Sequence, residues 1–226
     1  MQIKFSSENG KLEKEFNNLK VTNLKISVKL LQSTSLKFVE DRCKLLQPIH
    51  KNITWRRCGN NYMTLRYKEF TYTLFKKSVK KGRLQHCNIT RIRSKEDIPD
   101  AIGHLFVLVN QPPVWLDYTI DNISCSANAN QEIDVAGIYM NELKIACVYN
   151  PLVFPALRIY SPKRLLEKSK KICSLVYRSG SIILVGGRCL KEIKNFFLWV
   201  LEIARKYPRK SSFTSQLTSR RREEGP

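Results

Sequence analysis

The sequence predicts an α+β protein of two imperfectly repeated halves, each with antiparallel strands and helices. Segments that alternate between apolar and polar residues, as half-buried strands do, are separated by segments with apolar residues at helical spacing. The order strand, helix, several strands, helix occurs twice along the 226 residues. Short stretches of one half also resemble stretches at the same place in the other half, which favours a duplicated unit.

The first half contains two predicted helices among its strands. Its strands are predicted at residues 23–30, at 62–75, where an alternating run rich in aromatic residues and threonine forms two strands, and at 84–89. Ser94 and Asp97 resemble a capping box before the second helix. The predicted apolar helical faces are Leu36, Val39, Cys43 and Leu46, and then Ile98, Ile102, Leu105 and Val109.

The second half repeats this order after a break at Gln111-Pro112-Pro113. Strands are predicted at residues 118–127, 154–160, 172–177 and 182–185, and a helix at 133–146 is weakened by Gly137. The last helix has the clearest apolar stripe, formed by Leu190, Ile193, Phe197, Val200 and Ala204. We therefore expect a flexible arm (1–19), a first repeat (20–110), a linker (111–116), a second repeat (117–208) and a basic disordered tail (209–226).

The repeat is visible in residues as well as in order. Residues 62–67 (YMTLRY) match 154–159 (FPALRI), and residues 22–24 (TNL) match 121–123 (DNI). A period near 95 residues is too long for a solenoid. We expect a monomer with internal pseudo-twofold symmetry.

The composition indicates a polyanionic partner. Forty Lys and Arg residues against nineteen Asp and Glu give a net charge of +21, and such an excess is typical of nucleic-acid-binding proteins. An enzyme is disfavoured, because carboxylates are scarce, the three histidines are far apart in sequence and no glycine-rich phosphate loop occurs. Neither a cofactor nor a metal site is expected.

The seven cysteines are scattered and include no Cys-x-x-Cys pair, so we expect buried or half-buried free thiols in a reducing compartment. The N-terminal residues lack the apolar stretch of a signal peptide, and no run is long enough to span a membrane. These features predict an intracellular protein without membrane association.

Two motifs of the second half carry a resemblance to a known family. Residues 149–157 (YNPLVFPAL) and 175–188 (LVYRSGSIILVGGR) resemble the Y-x-P-x-x-F-P-x-L stretch and the L-I-F-x-S-G-K-V-V-x-T-G-A-K hairpin of TATA-box-binding proteins. In the first half, residues 35–39 (SLKFV) and 73–75 (TLF) are similar to that family's helix start and pre-hairpin strand. The likeness covers about residues 20–208, and its faintness in the first half favours a divergent member, such as a viral one.

The resemblance implies a pseudo-twofold saddle: a curved antiparallel β-sheet with helices on the convex face and DNA under the concave face. Such proteins bind the minor groove, insert aromatic side chains between base steps and bend the duplex. They select A·T-rich DNA by its deformability and by the absence of the guanine amino group.

The resemblance also implies positions for the DNA contacts. The aromatic wedges would be Phe154, Tyr177, Tyr62 and Phe75, and a tyrosine hydroxyl inserted into DNA needs a partner. The central minor-groove amides would be Asn23 and Asn122, with Asn88 and Val185 replacing the family's threonines. The expected phosphate contacts are Arg66, Arg158, Lys76, Lys77, Lys81, Arg83 and Arg188.

The family uses acidic residues in the second-half stirrup, the loop just before the residue equivalent to Phe154, to dock a basal transcription factor. Here the stirrup is Asn150, Pro151, Leu152 and Val153, which includes no carboxylate. Docking through this loop therefore requires apolar contact or a different partner.

Together these features predict a general-transcription-factor-like protein that binds A·T-rich double-stranded promoter DNA and recruits initiation factors or RNA polymerase subunits. It would act in the nucleus or in a cytoplasmic viral factory. The alternative is a saddle-fold interaction module that binds a polymerase, a transcription-factor partner or RNA without bending DNA.

Overall fold

The computed structural model of the protein describes residues 18–30, 34–76, 85–111 and 117–209. Within these ranges, the chain forms one ten-stranded antiparallel sheet and four α-helices. The strands are β1 (Lys20–Lys29), β2 (Thr54–Cys58), β3 (Tyr62–Tyr67), β4 (Phe70–Phe75), β5 (His86–Ile92), β6 (Tyr118–Asn128), β7 (Cys147–Asn150), β8 (Phe154–Tyr160), β9 (Cys173–Val176) and β10 (Ser181–Gly187). The helices are α1 (Leu36–Leu46), α2 (Ile98–Val109), α3 (Val135–Asn141) and α4 (Leu190–Lys206).

The sheet order is β2-β3-β4-β5-β1-β6-β10-β9-β8-β7, so each half contributes five strands. The halves meet at the antiparallel β1–β6 pair, where Leu24 lies opposite Ile123. A pseudo-twofold axis between these two strands exchanges the halves. The fold is the predicted α+β saddle: a curved open sheet with its helices on one face.

The helices cover the convex face of the sheet, where the apolar side chains of the strands form the core. Leu24, Ile26 and Val28 of β1 are buried there, as are their counterparts Ile123, Cys125 and Ala127 of β6. The α4 stripe predicted from the sequence is buried against the sheet at Ile193, Phe197, Val200 and Ala204. The alternate residues of each strand form the concave face, which no helix covers in the described part of the chain.

Several predicted local features are confirmed. The Ser94 hydroxyl accepts from the Asp97 N–H at 3.3 Å, and the Asp97 carboxylate accepts from the Ser94 N–H at 3.0 Å, which is a capping box. All seven cysteines are free and buried or half-buried. None of the helices in the described ranges is long and apolar enough to cross a membrane.

Three elements differ from the prediction. The edge strands β2 and β7 were not predicted, because both contain only exposed and half-buried residues and so lack a buried apolar face. Helix α3 is shorter than the predicted span of residues 133–146: it ends at Asn141, and β7 begins at Cys147.

The strand register defines which residues of the two halves are equivalent. Ile26 pairs with Ile89 in the first half, and its counterpart Cys125 pairs with Leu184 in the second. Two residues later in β5 and β10 stand Arg91 and Gly186, and both have a positive φ (68° and 93°). The backbone irregularity is therefore repeated, which confirms this register.

The register corrects three equivalences inferred from sequence. Met63 corresponds to Leu157. Tyr62 therefore corresponds to Ala156 rather than to Phe154. Thr64 pairs with Thr73 and Arg158 pairs with Leu175, so Arg158 corresponds to Thr64 rather than to Arg66. The counterpart of Val185 is Thr90, because both lie one residue before the positive-φ position, and Asn88 instead corresponds to Ile183. A two-residue slip keeps every side chain on its face of the sheet, so the alternating pattern looks the same in both alignments.

Candidate nucleic-acid interface

The central asparagines brace the two backbone irregularities of the sheet. Asn23 Oδ1 accepts from the Arg91 N–H at 2.7 Å, and Asn122 Oδ1 accepts from the Gly186 N–H at 2.6 Å. Since each oxygen is engaged, the amide orientation is fixed and the NH₂ group is the one left to donate. The Asn122 NH₂ donates to Ser124 Oγ at 3.1 Å and has a second hydrogen for another acceptor.

The four predicted wedge residues form two aromatic pairs on the outer strands. The rings of Tyr62 and Phe75, which are direct cross-strand partners, have centroids 5.9 Å apart. Those of Phe154 and Tyr177 lie 6.3 Å apart. Tyr62 is 38% exposed and the other three are half-buried. The structure thus brings together each pair, one in each half.

The environments of the two pairs differ. The neighbouring Cys58 side chain raises the pKa of Tyr62, chiefly through a hydrogen bond. In the second pair, the guanidinium carbon of Arg158 lies 4.8 Å from the ring centre of Phe154, a cation–π contact. Arg158 therefore covers part of the Phe154 ring.

The concave side chains of the paired strands β4–β5 and β9–β10 differ between the halves. On the paired strands β4–β5 and β9–β10, hydroxyl and amide side chains of the first half are replaced by apolar or thiol side chains. The equivalent pairs, first half before second, are Thr71 and Cys173, Thr73 and Leu175, Asn88 and Ile183, and Thr90 and Val185. Sequence reasoning missed this contrast because it aligned the repeats two residues out of register.

A cavity of about 390 Å³ opens on the concave face of the first half. Its lining includes Ser27, Asn88 and Asp121, and the Ser27 hydroxyl lies 2.9 Å from Asn88 Oδ1 and also contacts Asp121 Oδ2. The Asp121 side chain is 27% exposed, and Lys25 Nζ lies 3.8 Å from its carboxylate. This cluster, which we call the polar pocket, was not predicted from the sequence.

The predicted phosphate contacts are spread over the surface. Arg66 is exposed on β3 and Arg158 is half-buried on β8, while Lys76 and Arg188 are exposed at strand ends. Lys77, Lys81 and Arg83 lie outside the described residues. Lys25 and Lys29 of β1 add two cations to the concave face, and the alternation of residues 23–30 was the signal that could have identified them.

The stirrup residues Asn150, Pro151, Leu152 and Val153 connect β7 to β8 at the edge of the sheet. Asn150 Oδ1 accepts from the Leu152 N–H at 3.2 Å, which shapes the turn. Leu152 and Val153 are 96% and 77% exposed, and Met140 and Leu143 near the end of α3 are also exposed. The tip of the stirrup is thus apolar and fully accessible.

Among the described residues, no group of three or more histidine, cysteine or acidic side chains is arranged to hold a metal ion. The arrangement of the concave face offers shape, stacking rings and hydrogen bonds.

Comparisons with known proteins agree with this architecture. Residues 117–207 match the sequence model of the family described as "Transcription factor TFIID (or TATA-binding protein, TBP)". The fold is similar to that of Methanococcus jannaschii TBP, with a TM-score of 0.61 and 18% sequence identity over 84% of this chain and 99% of that chain. No curated protein sequence matches the chain. The second half thus resembles the TATA-box-binding protein family in sequence, and the described chain as a whole has the saddle fold of such a protein.

Proposed function

We propose that the protein binds A·T-rich double-stranded DNA in the minor groove through the concave face of its sheet. It bends the duplex with its aromatic side chains and brings transcription initiation factors or RNA polymerase subunits to the promoter. This role lies in the nucleus or in a cytoplasmic viral factory, and it requires DNA binding rather than catalysis.

The observation that carries this proposal is the apolar concave face of the second half. Leu175, Ile183 and Val185 form a strip beside the rings of Phe154 and Tyr177, inside the segment that matches the family. The minor groove of A·T pairs presents acceptors and no amino group. An apolar strip can cover such a groove without leaving a buried base donor unpaired, which would cost free energy.

The central amides support the same mode of binding. Because Asn23 and Asn122 use Oδ1 to hold the backbone, their NH₂ groups are the parts free to meet adenine N3 and thymine O2. The lysines Lys25 and Lys29 and the net charge of +21 favour approach to the phosphates.

The test is a fluorescence assay that measures both binding and bending of short A·T-rich and G·C-rich duplexes by the full chain. We expect bending of the A·T-rich duplex, and a roughly tenfold weaker affinity with a smaller bend for Phe154→Ala, since ring–base stacking contributes about 1–3 kcal/mol. Phe38→Ala is the matched control, because Phe38 is an exposed phenylalanine on α1.

Equal binding of the two duplexes without bending would contradict the proposal. A steep salt dependence alone would not support it, because any protein of charge +21 has one.

Recruitment of the transcription machinery is assigned to the stirrup. Its exposed Leu152 and Val153 suit an apolar pocket on a partner, whereas the family's acidic stirrup suits a basic one. We expect the partner surface to be apolar accordingly.

A second candidate function is an interaction module that binds a polymerase subunit, a transcription factor or single-stranded RNA without bending DNA. The contact of Arg158 with Phe154 favours it, because the guanidinium must move before the ring can enter a base step. The same assay separates the two, with single-stranded RNA as competitor: displacement of unbent DNA by RNA supports the module.

A further inference from the structure

The polar pocket makes the two halves of the concave face chemically different. On the first-half side of the concave face, Ser27 and Asn88 meet Asp121 of β6, a strand of the second half, so hydroxyl, amide and carboxylate oxygens lie within one cavity. By the register of the sheet, Asn88 is replaced in the second half by Ile183. Asp121 has no opposing residue in β1, because the register shifts there between Lys25 and Ile26. Its counterpart Thr22 lies at the equivalent shift, between Val21 and Asn23, and has no opposing residue in β6. The carboxylate and the amide therefore have no equivalents on the second-half side of the concave face, where Thr22 and Ile183 take their places.

The chemistry of the minor groove tells which base pair such a pocket fits. A·T pairs present only adenine N3 and thymine O2, both acceptors, while a G·C pair adds the guanine 2-amino group, a donor. The Asp121 carboxylate only accepts hydrogen bonds, so acceptors of an A·T pair would repel it. Its side chain is 27% exposed, and in the described part of the chain both Lys25 Nζ, at 3.8 Å, and the Ser27 hydroxyl contact its Oδ2, so lone pairs of Oδ1 remain for another donor.

The second half excludes the same amino group. Ile183 and Val185 lack any acceptor, and a guanine amino group pressed against them would lose its hydration without gaining a partner. The two halves thus favour different base pairs for one physical reason, the presence or absence of an acceptor.

We propose that the DNA site is composite: the second half covers A·T pairs, and the polar pocket of the first half accepts a hydrogen bond from the 2-amino group of a guanine. Lys29 supplies a donor beside the carboxylate, and this suits guanine N3 or cytosine O2 on the same groove edge. This inference rests on the proposed minor-groove binding, and it assigns the protein an asymmetric recognition sequence.

The test compares duplexes that differ only in the amino group. The binding region is A·T throughout, or contains G·C pairs in one half, or contains G·C pairs in both halves. Each guanine duplex is also made with inosine, which pairs with cytosine but lacks the 2-amino group. We expect the duplex with guanine in one half to bind about tenfold more tightly than its inosine version, since one specific base contact gives roughly this discrimination.

The ratio of guanine to inosine affinity should be lower for the duplex with guanine in both halves than for the one-half duplex, because one amino group then faces Ile183 and Val185. A ratio that rises with the second guanine would show a general preference for G·C pairs and would contradict a composite site.

Two variants assign the effect to the pocket. Asp121→Ala should reduce the ratio of guanine to inosine affinity in the one-half duplex to about one, and Asn88→Ala should reduce it in part. Glu202→Ala is the matched control, because it removes the same charge from the exposed side of α4 on the convex face. The ratio is the readout, since loss of a carboxylate strengthens binding to every duplex by electrostatics.

Equal affinity for the guanine and inosine duplexes, together with retained bending of A·T-rich DNA, would overturn the composite site and leave the proposed function intact. An unchanged ratio in Asp121→Ala would also overturn the assignment to the pocket. Absence of binding to all the duplexes would overturn the proposed function and this inference with it.

Discussion

The two halves of this protein share their strand order and a buried core on the convex face of the sheet, but they differ on the concave face. On the convex face, equivalent strand positions are buried in both halves, as with Ile26 and Cys125 or Ile89 and Leu184. On the concave face, Asn88 and Thr90 stand where the second half has Ile183 and Val185. The core specifies the fold and therefore constrains both copies, whereas the open face is free to specialise.

The connections between the outer strands differ as well. Two residues, Lys68 and Glu69, join β3 to β4, whereas residues 161–172 join β8 to β9. The buried Glu192 of α4 holds the longer connection: its carboxylate accepts from the N–H groups of Glu167, Lys168 and Ser169 and from the Ser169 hydroxyl. Its first-half counterpart Asp97, at the start of α2, caps only the turn before its own helix. The second half thus depends on a buried carboxylate that the first half does not need.

The largest expected effect separates the halves at their shared positive-φ position. Gly186→Ala should lower the free energy of unfolding by about 3 kcal/mol, because a Cβ is strained at φ +93° and would lie 2.6 Å from the Lys171 carbonyl oxygen. The measurement is urea denaturation of the full chain.

The matched control is Arg91→Ala in the first half, at the equivalent position, where a side chain already exists at φ 68°. Its stability should change by less than about 0.5 kcal/mol. Equal destabilisation by both substitutions would show that the halves do not differ in backbone tolerance.

The next largest effect on stability concerns Glu192 and its hydrogen bonds to residues 167–169, which we call the clamp on the long connection. Glu192→Gln should destabilise the protein by about 2 kcal/mol at neutral pH, because an amide group would turn its NH₂ toward hydrogen-bond donors that the carboxylate now satisfies. Glu202→Gln, on the exposed side of the same helix, should change stability by less than about 0.5 kcal/mol.

The pH dependence of this difference follows from the pKa of Glu192. Burial alone would raise it, but the hydrogen bonds from Ser169, Lys168 and Glu167 lower the pKa below its ordinary value of 4.5. A depressed folded-state pKa stabilises the protein above pH 4.5, and this contribution is lost as the pH falls through the folded-state value. The gap between wild type and Glu192→Gln should therefore be constant above about pH 5 and shrink below pH 4.5. A gap that widens on acidification would contradict the clamp.

The sequence predicts the fold well because the alternation of apolar and polar residues shows which side chains form the core. The β6 strand, the capping box of Ser94 and Asp97 and the α4 stripe follow from local patterns. The edge strands β2 and β7 cannot be predicted in this way, because neither has a buried face and so neither shows an alternating apolar pattern.

The candidate site is only partly visible in the sequence. The predicted wedge residues could be placed on their strands by the family resemblance. The equivalence of Thr90 and Val185 depends on the strand register, and an alignment error of two residues hides it. The polar pocket joins Ser27, Asn88 and Asp121 from three strands, and side chains so distant in the chain meet only in the folded sheet.

The smallest expected effect is a change in DNA affinity, and it tests whether the difference between the two concave faces affects DNA binding. The Thr90 hydroxyl lies 3.5 Å from the Thr71 carbonyl oxygen, at the limit of a hydrogen bond, so it remains able to donate to a minor-groove acceptor. Thr90→Val should weaken binding to an all-A·T duplex by about two- to fivefold, since a net hydrogen bond contributes about 0.5–1 kcal/mol. Val185→Thr should strengthen it by a similar factor. Titration of one labelled duplex with both variants and with the double exchange measures this. If the two factors cancel in the double variant, the halves act as exchangeable surfaces on one groove. If Thr90→Val has no effect while Val185→Thr still strengthens binding, the first half does not contact the groove at this position.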